Sequence, residues 1–396
     1  MLNILGINIS RLNKKEVLEK IEQFLKSEKQ HYIITPNPEI ILEAGKDEEF
    51  FYILNHANLS LPDGMGLKIA SWVMGENLTR ITGADIVTEM TNDKIQMSNS
   101  RIAVVNLEGG LSRKEDIEKV LRKSGVKEFF IKDSYRDIEQ NLDDLNEFKP
   151  DILFCTFGAP YQEKFIYHNL KKLPSVKVAI GVGGSFDFLT NKIKRAPKLM
   201  RVIGLEWLWR LIKQPKRWRR IYNAIIVFPI KFIRWRFIRP WQYRPNVVCL
   251  LYKRDGSQYK ILISERENEA GHWQILQGGT DGEDLMTAGA RELREEIDTD
   301  KFKGIASFKK LWEYKFDNLL IYRGVRAKDI GGYKGQKQGL FIAEFLGEDK
   351  DITINFWDHR SWKWVEADKL IESVHPIRQE ATQIFYDKFK SLRITN

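Results

Sequence analysis

Four short apolar runs constrain this chain more than anything else in it. HYIIT (His31–Thr35), IAVVN (Ile102–Asn106), DILFCTFG (Asp151–Gly158) and VKVAIGVG (Val176–Gly183) each end at a glycine or a polar turn. A strand that is apolar without alternation has both faces buried, so something must cover each side. Amphipathic segments such as KKEVLEKIEQFLKS (Lys14–Ser27) supply the cover. Buried strands separated by helices predict a mostly parallel, Rossmann-like α/β sheet. Ligands of such sheets bind beyond the carboxyl ends of the strands.

That pattern stops near residue 196. From Met200 to Arg244 there are twelve basic residues and one acid, Glu206, together with five of the chain's eleven tryptophans. This stretch carries about the whole net charge of +10. From Val247 the pattern changes again. VVCLLYKRDGSQYKILISER reads as two strands around an Asp255-Gly256 turn, and a helix, further strands (LFIAEFL, SWKWV) and a last helix from about Pro376 follow. The expected organisation is an α/β core over 1–196, a basic tryptophan-rich appendage and linker over 197–242, and an α+β domain over 243–396, built as an α/β/α sandwich.

The longest uncharged run of the basic stretch, IYNAIIVFPI, has ten residues. A bilayer span needs about twenty apolar residues. Interleaved Arg, Lys, Trp and Phe suit an interfacial helix on anionic lipid instead, and each basic residue there is worth roughly 1 kcal/mol. Nucleic acid is the competing partner for such a pattern, and is not the one expected here. Cys155 and Cys249 lie far apart in apolar runs, which excludes a disulfide framework and predicts buried thiols. The first residues, MLNILGINIS, read as no secretory leader, so the expected location is cytoplasmic, on the inner face of the plasma membrane.

Candidate site residues cluster where the strands end. ITPNPEI places Thr35 and Asn37 there, LPDGMG places Asp63 in a flexible turn, and Gln162, Gly183 and Gly184 follow two later strands. Glycines in such turns let backbone N–H groups approach an anion. Residues 1–196 contain no Asp-x-Asp pair to hold a metal, so a diphosphate there would be met by arginines. Arg210, Arg217 and Arg220 fall on one helical stripe. In the back domain, ARELREEI puts Glu292, Glu295 and Glu296 on one helix face. Three carboxylates held together call for a cation.

ITPNPEI, LPDGMG, RITGADI, FGAPYQEKF, GVGGSFDFL, RAP and GLEWLWRLIKQPKRWRR occur in that order. Residues 1–240 thereby resemble the WecG/TagA/CpsF family of bacterial glycosyltransferases. The resemblance implies inverting transfer of an N-acetylmannosamine-type sugar from a UDP donor to an undecaprenyl-diphosphate-linked acceptor, with no metal cofactor. It implies Asp63 as catalytic base, Thr35, Asn37, Arg80 and Gln162 in the active site, and Arg210, Arg217 and Arg220 on the diphosphate. It also implies a role in cell-surface glycan synthesis.

YRPNV, GHWQILQGG, the Glu283…Arg291-Glu292…Glu295-Glu296 box, YKGQKQGLFIAEF and WKWV are similar to Nudix hydrolases of the RNA pyrophosphohydrolase and diadenosine polyphosphate hydrolase group. That similarity implies Mg²⁺ (or Mn²⁺) held by Glu292, Glu295 and Glu296, hydrolysis of a nucleoside-diphosphate-linked compound, and an acidic residue that helps activate water. Asp358 is the match for this acid and Glu344 its rival. The sequence departs from the motif twice. Gly278 and Glu283 are separated by four residues rather than five, and Asp298 stands where glycine ends the motif. The shortened loop leaves open a retained fold that binds nucleotide without cleaving it. An RNA 5′-pyrophosphohydrolase is the other alternative.

Overall fold

The computed structural model describes the whole chain except residues 92–99, 195, 198–199, 201–205, 318–320, 323 and 393–396, and the side chains of 206, 210, 321 and 322. The chain forms two compact units, Met1–Ile233 and Arg234–Asn396.

The first unit is built on a parallel six-stranded sheet. After a small hairpin of β1 (Leu2–Ile4) and β2 (Ile7–Ile9), its strands are β3 (His31–Ile34), β4 (Leu59–Ser60), β5 (Ile102–Leu107), β6 (Phe129–Ser134), β7 (Ile152–Cys155) and β8 (Val178–Gly181). They lie in the order β4-β3-β8-β7-β5-β6. The four apolar runs that predicted the sheet are β3, β5, β7 and β8, and the middle residues of all four are buried. Helix α1 (Lys14–Lys26) shows how the cover forms. Val17, Ile21 and Phe24 recur at helical spacing and are buried. Asn13 caps its start, and Glu16 answers by accepting from the Asn13 N–H at 2.7 Å.

The basic stretch is divided between the units. Trp218–Ile233 is helical and belongs to the first. Ile221 and Phe228 are buried, while Trp218, Tyr222, Ile226 and Ile230 are exposed at four-residue intervals. Trp235 and Arg239 belong to the second unit. The Trp235 ring nitrogen donates to Asp329 O at 2.8 Å and Arg239 donates to Gly331 O at 3.1 Å. Among the described residues no helix is long and apolar enough to cross a membrane.

The second unit holds a mixed sheet in the order β11-β10-β9-β16-β13, with β12 on β9 and β17 on β10. These strands are β9 (Tyr243–Asp255), β10 (Gln258–Arg266), β11 (Trp273–Gln274), β12 (Leu276–Gly279), β13 (Phe302–Lys315), β16 (Gly335–Phe345) and β17 (His359–Glu366); β14 (Ile321–Tyr322) and β15 (Val325–Arg326) form a separate ribbon. Strand alternation builds two cores. Val247, Cys249 and Leu251 pack with Phe341 and Ala343 against Leu293 and Ile297 of the helix Leu285–Ile297. Val248, Leu250 and Tyr252 pack with Leu340 and Ile342 against Phe385 and Phe389 of the last helix, Pro376–Ser391. Helices on both faces make the expected sandwich. Cys155 and Cys249 are both free and buried.

Candidate functional sites

The first unit has a cavity of about 380 Å³ at the carboxyl ends of its strands. Thr35 and Asn37 enter it after β3, Asp63 after β4, Gly158 and Gln162 after β7, and Gly183 and Gly184 after β8. Arg217 and Arg220 line it as well. Parallel strands deliver all their following turns to one edge, which is why residues 150 positions apart meet here.

Several of these residues are held by local hydrogen bonds. Asn37 caps the helix Pro38–Ala44, its oxygen accepting from Glu39 and Ile40 N–H at 2.9 and 3.0 Å. The Asp63 N–H donates to Pro36 O at 2.8 Å, tying its turn to the one that carries Asn37. Arg220 is paired with Glu39 through its Nε at 2.6 Å. Gln162 lies 3% exposed. Its oxygen accepts from the N–H groups of Gly158 (3.1 Å) and Gly183 (2.8 Å), so the Gly183 amide is already engaged. Arg80 is half-buried and is not among the cavity-lining residues; its neighbour Ile81 donates to Pro62 O at 2.9 Å, close in the chain to Asp63. The side chain of Arg210 lies outside the described residues.

The cavity also contains residues that motif spacing did not single out. Ser112 donates to Asp187 at 2.7 Å, and burial raises the Asp187 pKa while Ser112 and the Arg217 charge pull it back. Asn106, Thr156 and Arg136 line the same space. Asp187 sits inside the quoted GVGGSFDFL run, two residues past Ser185, and a carboxylate one turn into a helix after a glycine pair was the signal available. A carboxylate and two guanidiniums facing one cavity can accept a proton and hold a diphosphate.

In the second unit the candidate centre is the helix Leu285–Ile297, which carries Glu292, Glu295 and Glu296. Glu292 and Glu296 are buried, at 6% and 5% exposure, and Glu295 is exposed. Arg291 joins them: its Nη1 donates to Glu292 at 2.8 Å and to Glu295 at 3.0 Å, its Nε to Glu283 at 2.9 Å, and its Nη2 to Gly279 O at 2.8 Å. A Cβ on Gly278 would fall 1.8 Å from a Glu292 oxygen, so the strand is bare there to admit the carboxylate. His359 approaches Glu296 at 3.6 Å.

Both departures from the motif have a structural resolution. Asp281 and Gly282 take positive φ, 47° and 91°, and Glu283 N–H closes the turn on Thr280 O at 2.8 Å. Two successive left-handed residues make a tight two-residue turn, and the four-residue loop still brings Glu283 to Arg291. Asp298 adopts φ 48°, the left-handed helix-ending conformation that glycine would otherwise supply.

Asp358 is 3% exposed. Its N–H donates to Asn355 at 3.0 Å, and Asn355 donates to Glu296 O at 3.3 Å through its N–H and to Glu295 O at 3.4 Å through its side chain. Asp358 is therefore tied to the end of the glutamate helix. Glu344 is not. On β16 it shares a face with Leu340 and Ile342, the face opposite that helix, and pairs with Arg254 at 3.2 Å.

Glutamate oxygens are hard donors and suit a divalent cation such as Mg²⁺. The two buried carboxylates, Glu292 bonded to Arg291 and Glu296 beside His359, fit one. Among the described residues another group, Glu269, His272 and His375, has potential ligand atoms within 4.8 Å of one another. The guanidinium charges of Arg266 and Arg378 beside His272 oppose a cation there; burial, then these charges, push the His272 pKa down to about 4.

The family matches divide the chain into a transferase unit and a hydrolase unit. The chain belongs to the WecG/TagA/CpsF family of glycosyl transferases, matched over residues 2–242, and carries a NUDIX domain over 242–387. It is 35% identical over 203 residues to an N-acetylglucosaminyldiphosphoundecaprenol N-acetyl-beta-D-mannosaminyltransferase of Bacillus spizizenii, covering 50% of this chain and 78% of that protein. A Staphylococcus aureus protein of the same name is 26% identical over 59% of this chain and 92% of its own length. An RNA pyrophosphohydrolase of Wolbachia pipientis is 36% identical over 155 residues, covering 38% of this chain and 91% of its own length.

Proposed function

We propose that the first unit transfers an N-acetylmannosamine-type sugar from a UDP donor to a polyprenyl-diphosphate-linked sugar, with inversion and without a metal. The observation that carries this is the single cavity faced by Asp63, Arg217 and Arg220. Asp63 takes the acceptor hydroxyl proton as the new bond forms at the anomeric carbon. Arg217 and Arg220 stabilise the departing diphosphate, with Arg210 as the third cation of the stripe. Thr35 and Asn37, which line the cavity, orient the sugar nucleotide. The likeness to the mannosaminyltransferases supports the choice of sugar. Incubation with UDP-N-acetylmannosamine and a lipid-diphosphate-N-acetylglucosamine analogue tests it. The expected result is a disaccharide product whose yield is unchanged by EDTA. No product, or product lost with EDTA, overturns the reading.

The likeness to enzymes named for an undecaprenol-linked acceptor supports a reaction at a membrane surface, for which we propose the cytoplasmic face. The exposed Trp218, Tyr222, Ile226 and Ile230, with Lys216, Arg219 and Lys231 nearby, are the docking residues. In flotation the protein is expected to rise with vesicles containing anionic lipid, and to stay down with neutral vesicles or in high salt.

The second unit is proposed to hydrolyse a nucleoside-diphosphate-linked compound. Glu292, Glu295 and Glu296 would hold Mg²⁺ or Mn²⁺, which supplies Lewis acidity toward the bridging diphosphate and lowers the pKa of water. Asp358 would assist the water's deprotonation, and Arg291 ties Glu292 to Glu295. The intact Glu283–Arg291 pair favours this over a binding domain that does not cleave. The likeness to RNA pyrophosphohydrolases favours a second reading for the substrate, a 5′-triphosphorylated RNA end.

A further inference from the structure

Gln162 ties together two turns that leave neighbouring strands, β7 and β8. Its amide oxygen accepts from Gly158 and Gly183, while its amide nitrogen donates to Glu163 Oε1 at 2.7 Å. An amide has one accepting end and one donating end. Turned over, Gln162 would set its NH₂ against two backbone N–H donors. Two donors at one end and a carboxylate at the other admit a single orientation. Gly181 makes room for it, since a Cβ there would lie 2.6 Å from the Gln162 nitrogen.

Glu163 is itself 1% exposed, and its Oε2 has no hydrogen-bond partner among the described residues. Burying a carboxylate that lacks a cationic partner is unfavourable for stability. We propose that Glu163 is a positioning residue of the transferase cavity, whose carboxyl group fixes the Gln162 amide so that the Gly158 and Gly183 turns stay at a set separation on the cavity wall. The proposal rests on the transferase reading for its effect on sugar transfer, but not for the clamp itself. Burial pushes the Glu163 pKa up to about 7, in keeping with a group retained at a cost.

The clamp is tested by amide hydrogen exchange on the full chain, which needs no substrate. Glu163→Leu removes the acceptor and is expected to raise exchange at both Gly158 and Gly183. Glu163→Gln can still offer an oxygen to Gln162 and is expected to restore protection. In transfer assays Glu163→Leu should raise KM for the nucleotide sugar about tenfold, with a much smaller change in kcat, and Glu163→Gln should recover most of that loss. Should Glu163→Leu fail to fold, Gln162→Glu alone is expected to lose protection at the two glycines, through two adjacent buried carboxylates. Combining it with Glu163→Gln should restore protection with the donor and acceptor exchanged. Unchanged protection in Glu163→Leu, or no difference between the Leu and Gln variants, overturns the clamp. Absence of transfer by the wild type would overturn the transferase reading and leave the exchange result to decide the clamp.

Discussion

Asp63→Asn is expected to lower kcat for sugar transfer by about a thousandfold, within the range that a positioned general base supplies. UDP affinity should stay within about threefold, because the contacts proposed for the diphosphate come from arginines rather than from Asp63. The substitution is nearly isosteric, and the backbone bond that sets the turn, Asp63 N–H to Pro36 O, does not involve the side chain. Melting temperature should therefore be unchanged. Calorimetric titration with UDP and a product assay check both halves. Wild-type turnover would remove Asp63 from the mechanism and pass the role to Asp187, the other carboxylate among the described residues that line the cavity. Loss of UDP binding would point instead to a damaged turn.

The parallel sheet was legible because buried strands leave an unmistakable pattern: β3, β5, β7 and β8 are apolar on both faces, and each ends at a turn that carries site residues. The gathering of Thr35, Asp63, Gln162 and Gly183 followed from strand direction alone. What those residues do to one another did not. The family resemblance implies Gln162 in the active site, and its amide is engaged at both ends by Gly158, Gly183 and Glu163. Side-chain orientation within a turn depends on neighbours from other strands, which one sequence does not reveal. Asp187 was passed over for the same reason. Its partner Ser112 lies 75 residues earlier.

In the second unit the choice between Asp358 and Glu344 turned on strand alternation. Once β16 is paired, Glu344 is on the wrong face of the sheet for the glutamate helix. The shortened loop was the harder problem. Losing a residue could have withdrawn Glu283 from Arg291. A run of two left-handed residues, Asp281 and Gly282, shortens the path instead, because both residue types reach that conformation at modest cost. Counting residues exposes a departure from a motif, and turn geometry decides whether the departure matters.

Glu295→Gln is the sharpest test of the hydrolase unit. Glu295 is the exposed member of the three glutamates, so its replacement should shift stability by no more than about 0.5 kcal/mol. Arg291 keeps its bonds to Glu283, Glu292 and Gly279 O. The local frame therefore survives, while the cluster loses one of its negative charges and a hard oxygen donor for a cation. Hydrolysis across a panel of dinucleoside polyphosphates, nucleoside-diphosphate sugars and triphosphorylated RNA should fall by about 10²- to 10³-fold. EDTA should reproduce that loss in the wild type. Sugar transfer should be the same in the variant as in the wild type, because Asp63 and Glu295 belong to separate compact units. Asp63→Asn should give the converse pattern. Hydrolysis that survives in Glu295→Gln would place the metal elsewhere. A wild type that binds a nucleotide from the panel but cleaves none would make the second unit a sensor, and the intact Glu283–Arg291 pair would then serve nucleotide recognition alone.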